Sequence, residues 1–333
     1  MVFLLGLLVF YRELLTVSEI THFNIRACCL GWGEWKVAKT YKLGLALSGG
    51  GVRGAVHLGI LNVLIKNKIF PDIIAGTSAG SIVGALYAAG VDLEKFLEDF
   101  KSINPICLLD PTVTGVYILL LFFYYWTKRP MVHWTLPKGL FKGEKIEQFL
   151  EETFDKKGFN DLKVPLSVVS ADINTGQTVV FCPRKNVPRK KLSNTVFITD
   201  RSLATAVRAS ISLPGVFLPR VVKGHTLVDG GIKNNIPVDI LHSQGATKII
   251  GVDLVVSESR AKVDSIIDIL MATIDIMGDE LSHYIRKEHP GYYIYPDIKG
   301  VGYKDFHRIP EIVEYGEKVA ERELPKIIKY LSS

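Results

Sequence analysis

The sequence predicts an α/β protein with a mostly parallel central sheet covered by helices on both faces. Three observations carry this. From Lys42 onward, short apolar runs take turns with amphipathic stretches. The apolar runs lack polar alternation, as strands buried on both faces require. No internal repeat and no Pro/Gly/Ser-rich linker breaks the pattern, so one domain is expected over residues 41–333.

The elements follow in order. "KLGLALSG" reads as a buried strand. Residues 54–67 read as a helix, with apolar residues at Val56, Ile60, Val63 and Leu64. "PDIIAG" is a second strand and "SAGSIVGALYAAG" a second helix, closed by Gly90. "DLEKFLEDF" opens a third helix capped by Asp92, and "KGEKIEQFLEETF" a fourth. "PLSVVSADINTGQTVVF" gives two strands joined at Asn174-Thr175-Gly176. "SLATAVRASIS" is a helix stopped by Pro214, and "HTLVDGG" a short strand with a turn. "TKIIGVDLVV" is another buried strand, and residues 262–288 form one long helix or two. "YYIYPDI" is a strand, and residues 309–333 close the chain as a helix.

Composition sets outer bounds. Of 333 residues, 48% are hydrophobic and 22% charged, which is ample for a sizeable core. The mean hydropathy of +0.23 points to contact with apolar ligands or a membrane face. A net charge of +6 suits an anionic lipid surface as well as a nucleic acid, but the basic residues form no stripe. The densest group, Cys182–Lys191, reads as a solvated loop. Cys28, Cys29, Cys107 and Cys182 have no metal-ligand spacing and read as reduced thiols of a reducing compartment.

Two apolar stretches raise the membrane question. Residues 1–11 lack a basic flank and are shorter than the roughly 20 residues of a span. Residues 1–40 are therefore expected to form an N-terminal extension, interfacial or poorly ordered. Residues 113–130, "VTGVYILLLFFYYWTKRP", are also short of a span, with aromatic residues crowding one end before Lys128 and Arg129. That order suits a segment lying in the headgroup boundary, and equally a buried helix.

Three motifs carry chemistry. "SGGGVRGAVHLG" matches G-x-G-x-x-G with Gly49, Gly51 and Gly54. A dinucleotide site also wants an acid at the carboxyl end of the next strand, whereas Asp72 stands at its amino end. What remains is a nest of backbone N–H groups at a helix start, ready for negative charge. "GTSAG" is G-x-S-x-G at a strand-to-helix turn, the context of a nucleophile elbow. There Gly76 and Gly80 allow close packing and Ser78 projects above the sheet edge. The Gly49–Gly51 amides can then serve an oxyanion.

A serine needs a base. His22, His57, His133, His225, His242, His283, His289 and His307 all lack a diagnostic setting. Asp229 in "LVDGGIKNNIP" is the better candidate, because an apolar strand delivers it to a glycine turn where lost hydration strengthens a carboxylate base. Four readings stay open at this point: a Ser–Asp acyl hydrolase, a histidine-dependent hydrolase, a nucleotide-binding oxidoreductase, and a non-catalytic lipid-binding or regulatory protein.

"GGGVRG", "GTSAG" and "DGG", in that order, resemble the patatin-like phospholipases, in their bacterial single-domain branch. The resemblance runs from about Lys42 to the C-terminus and includes residues 203–254, "ADINTGQTVVF" and "PDIKGVGYKDF". It implies a three-layer α/β/α sandwich. It implies Ser78 as nucleophile, Asp229 as its dyad partner, and Gly49, Gly50, Gly51 and Arg53 as the oxyanion loop. It further implies hydrolysis of phospholipid or other acyl-ester lipids through an acyl-enzyme. No calcium-type carboxylate loop is visible, so no metal and no cofactor are expected. The expected setting is cytoplasmic and peripheral at a membrane surface, with no nucleic-acid partner.

If residues 113–130 dock on lipid, replacing Leu119, Leu121 and Phe122 with serine weakens vesicle binding and spares hydrolysis of a soluble short-chain ester. Vesicle co-sedimentation beside an esterase assay checks this, and equal loss of both identifies a core helix instead.

Overall fold

Continuous apolar runs become strands here because both of their faces are covered. In this computed structural model, residues 41–100, 105–112, 138–190, 192–254, 266–302 and 305–333 are described. The N-terminal extension and the apolar stretch 113–130 lie outside them.

Strands β1 (Leu43–Leu47) and β2 (Ile73–Thr77) are buried along their whole length and pair in parallel. Helices α1 (Val56–Lys66) and α2 (Ala79–Ala89) follow them. Helix α3 (Leu93–Phe100) starts at Asp92, whose Oδ1 accepts the N–H groups of Glu94 and Lys95. Then come β3 (Gly139–Phe141), α4 (Glu144–Thr153), β4 (Leu166–Asp172), β5 (Thr178–Phe181), β6 (Thr195–Ile198) and α5 (Leu203–Ser210). Strands β7 (Gly215–Phe217), β8 (Arg220–Val222) and β9 (His225–Asp229) lead to α6 (Val238–Ser243) and β10 (Lys248–Val252). One unbroken helix, α7 (Ile266–Glu288), then β11 (Tyr292–Ile294) and α8 (Ile309–Ser332) complete the chain.

The main sheet runs β11-β10-β1-β2-β4-β5-β6, parallel from β11 through β4, with β5 antiparallel to β4. Strand β9 also pairs with β4, antiparallel, and carries β8 on its far side. Alternate residues sort onto two faces. Leu43, Leu45, Leu47, Ile74 and Ile250 join the core with α1, α2, α5 and α8. Ala46, Ile73, Ala75 and Ile249 pack with Val238 and Leu241 of α6. The result is the three-layer α/β/α sandwich with a mostly parallel sheet.

Some elements differ from expectation. Strands β3, β7 and β8 are three residues each, too short for a period of two to register. Strand β6 and the six-residue α6 were likewise not legible as elements. Helix α5 ends at Ser210, ahead of Pro214. Among the described residues, no helix is long and apolar enough to cross a membrane.

Candidate active site

Strand β1 ends at Leu47, and after Ser48 the glycine run turns into a short 3-10 segment, Gly51–Ala55, that feeds α1. The Gly49 N–H is engaged by Asn235, at 3.2 Å to its carbonyl and 3.1 Å to Oδ1. The N–H groups of Gly50 and Gly51 donate no hydrogen bond among the described residues. The loop's free donors are therefore these two rather than all three. Arg53 stands behind the loop. Its Nε donates to the Gly50 carbonyl at 3.3 Å and its Nη2 to Asp275 Oδ2 at 2.6 Å.

Strand β2 runs straight into Ser78, which has φ 50° and ψ −121°. A non-glycine residue held at positive φ is strained by ~1–3 kcal/mol and persists only where its surroundings fix it. Here its N–H donates to Ser210 Oγ at 2.8 Å, and its carbonyl accepts Ser81 N at 2.9 Å and Ser81 Oγ at 2.6 Å. Close packing leaves no room beside it. A β-carbon on Gly76 would sit 2.5 Å from the Gly80 carbonyl oxygen, and one on Gly80 would meet the Leu47 carbonyl. Helix α2 can begin where it does only because both positions lack one.

Asp229 ends β9 and is 1% exposed. Its Oδ1 accepts the Gly231 N–H at 2.8 Å, and its own N–H donates to the Ser212 carbonyl at 2.9 Å. Oδ2 is buried without a hydrogen-bond partner among the described residues. Burial pushes the carboxyl up to about 6; the nearby Ser78 hydroxyl, which makes no hydrogen bond of normal geometry to Oδ2, and the Gly231 N–H hold it back from rising further.

Ser78, Asp229 and the Gly49–Gly51 loop line one cavity, together with Leu213, Gly231 and Asn235. Helix α7 roofs it with Met271, Ile274, Asp275 and Gly278. About 30 Å³ is open to a water molecule's centre, room for roughly two waters and none for an acyl chain. The elbow serine, the glycine loop and the downstream aspartate are thus brought together. Arg53 is not on the cavity wall.

No histidine lines the cavity among the described residues. His57 is fully buried, its Nε2 donates to the Ser48 carbonyl at 2.9 Å, and burial pushes it down to about 4, so the ring is neutral at pH 7. His225 sits at the opposite end of β9 from Asp229, 2.9 Å from Asp172 Oδ2. His242 donates to the Pro290 carbonyl at 3.2 Å. Asp72 Oδ2 accepts the Leu43 N–H at 2.7 Å, at the amino end of β2 and away from the glycine loop. Among the described residues, no group of three or more His, Cys, Asp or Glu is arranged to hold a metal.

Three participants were missed. Asn235 lies within a quoted motif, so its nearness to the turn was the available signal. Ser210 and the roof of α7 carry no local signal, because their partners are remote in sequence.

A family model described as patatin-like phospholipase matches residues 45–242. The chain is 31% identical over 219 residues to patatin-like phospholipase domain-containing protein 6 of Homo sapiens, a match covering 64% of this chain and 13% of that protein. It is 28% identical over 290 residues to the uncharacterized protein YqhO of Bacillus subtilis (strain 168), covering 82% of this chain and 95% of that one. The solved structure of VipD from Legionella pneumophila aligns with a TM-score of 0.45 at 15% identity, covering 86% of this chain and 67% of that chain.

Burial of Asp229 has a consequence for stability. The folded carboxyl titrates near 6 and the unfolded one near the ordinary 3.8. Between these values the folded state holds the extra proton, so stability falls as pH rises through that window and the loss is complete above it. A separation of about two pH units corresponds to about 3 kcal/mol. Asp229→Asn should therefore melt higher than the parent at pH 7, with the gain fading by about pH 4; thermal melts at the two pH values check this.

Proposed function

Because the chain belongs to the patatin-like phospholipase family, we propose that it is a serine acyl hydrolase acting on carboxylic esters of lipids, of the phospholipase A or lysophospholipase type. One observation carries the reading. Ser78, strained at its elbow, shares one small cavity with an unpartnered Asp229 Oδ2 and with two unpaired glycine N–H groups.

Each group has a step. The Ser78 hydroxyl attacks the acyl carbonyl carbon while its proton passes to Asp229 Oδ2. The carbonyl oxygen becomes an oxyanion, which the Gly50 and Gly51 N–H groups receive. Collapse expels the alcohol, which takes the proton from Asp229, and the acyl group stays on Ser78 Oγ. Water then gives a proton to Asp229 and attacks the ester. Collapse releases the fatty acid, and the proton returns to Ser78. A carboxyl raised to about 6 is a better base than an ordinary one and still ionised at pH 7.

Two features fit a lipid substrate. The roof helix α7 turns Ile269, Leu270, Ile276 and Met277 outward, all exposed. An acyl chain reaches Ser78 only when α7 shifts, because the cavity beneath it is too small. Contact between this apolar face and a membrane surface would favour the shift, which makes the protein a peripheral one in this reading.

Turnover on a panel of phospholipids, lysophospholipids, acylglycerols and p-nitrophenyl esters tests the proposal. Ser78→Ala and Asp229→Ala should each lower turnover on the order of a thousandfold or more, while His225→Ala and His242→Ala keep most of it. A fluorophosphonate that fails to label Ser78 would indicate a lipid-binding protein without catalysis.

The base must be ionised to act. kcat/KM should therefore fall on acidification with a midpoint near 6, about tenfold for each further pH unit below it. A flat profile from pH 5 to 8 removes Asp229 as base.

A further inference from the structure

The end of α5, Arg208-Ala209-Ser210-Ile211-Ser212, touches both halves of the site. The Ser210 hydroxyl is fully buried. It accepts the Ser78 N–H at 2.8 Å and donates to the Val169 carbonyl at 2.5 Å. Val169 faces Thr77 across the β2–β4 ladder, and Ser170 faces Asp229 across the β4–β9 ladder. A single oxygen thus links the elbow to the strand whose other edge carries the carboxylate. Two residues further on, the Ser212 carbonyl accepts the Asp229 N–H at 2.9 Å. Arg208 secures this turn. It donates to Ser212 Oγ at 2.5 Å and to the carbonyls of Lys142 and Gly143 at 2.6 and 2.9 Å, with its guanidinium over the Phe217 ring.

Resting on the reading of Ser78 as nucleophile, we propose that Ser210 is the positioning residue that sets where its Oγ points. The Ser78 carbonyl is fixed from its own helix by Ser81. On the amide side, the Thr77–Ser78 peptide plane is held through Ser210. Take that acceptor away and the plane can rotate, φ relaxes from its positive value, and Oγ swings out of line with Asp229 Oδ2. A hydroxyl suits the place because one atom must accept and donate together; alanine leaves a buried N–H and a buried carbonyl unpaired at once. Ser210 does not line the cavity.

The test uses the full chain, a fluorophosphonate and a soluble p-nitrophenyl ester. Ser210→Ala should label on the order of 10- to 100-fold more slowly, as a nucleophile displaced by about an ångström does. Its kcat should fall while KM stays within about twofold, and Ser210→Thr, which restores the hydroxyl, should recover most of the rate. The control for mere stability is Ser167→Ala. This buried hydroxyl lies on the same strand β4 but donates to Gln244 Oε1 at 2.9 Å. It should lose melting temperature without losing labelling rate. The proposal is overturned if Ser210→Ala labels at the parent rate, or if both alanine variants slow in proportion to their melting temperatures. Parent protein labelled at Ser78, beside an unaffected Ser210→Ala, removes the role of Ser210 and leaves the nucleophile standing. Label retained by Ser78→Ala removes both.

Discussion

A serine backbone held at φ 50° and ψ −121° is the constraint that the surrounding structure has to satisfy. L residues avoid that region because Cβ crowds the neighbouring peptide. Nothing within Ser78 favours it, so the fixing must come from outside. Glycines 76 and 80 let α2 begin against the backbone of β1 and β2, where any side chain would collide. The Ser81 and Ser210 hydroxyls take up the polar groups on either side of the bend. Nearly every nearby residue is small for this reason, and the helix that follows is apolar almost throughout.

The second tension is electrostatic. Asp229 is buried with one oxygen satisfied and the other not. Desolvation raises its proton affinity, which weakens the folded state at neutral pH and strengthens the base by the same physical cause. Sheet pairing holds the carboxylate in so unfavourable a place, since β9 is locked antiparallel to β4 and Gly230 packs against the Val169 carbonyl. The roof helix covers the site with Met271, Ile274, Asp275 and Gly278. Its Asp275 neutralises Arg53 at the back of the glycine loop, and its Arg286 pairs with Asp253 just beyond β10.

The densest basic group of the sequence lies away from the site. Exposed Arg184, Lys185, Arg189 and Lys190 follow β5, which runs from beside Ala171 down to Val168. That direction carries the loop toward the amino end of β4, whereas Ser78 follows the carboxyl end of β2. The basic group is thus separated from the site by the height of the sheet, in keeping with a solvated loop.

Much of this was legible because it is written over short distances. Buried parallel strands appear as continuous apolar runs, Asp92 caps the helix it precedes, and the glycines around Ser78 mark an elbow within five residues. The glycine loop and Asp229 could be named for the same reason, since each stands where a strand meets a glycine turn. The contacts that decide their chemistry could not be read. The Gly49 amide is taken by Asn235, 186 positions away, and the Ser78 amide by Ser210, 132 positions away. Three-residue strands and a helix roof likewise have no local pattern. Local backbone geometry depends on neighbours a few residues apart and is therefore carried in order along the chain, while a donor's partner and a carboxyl's hydration depend on which distant segments the fold brings together.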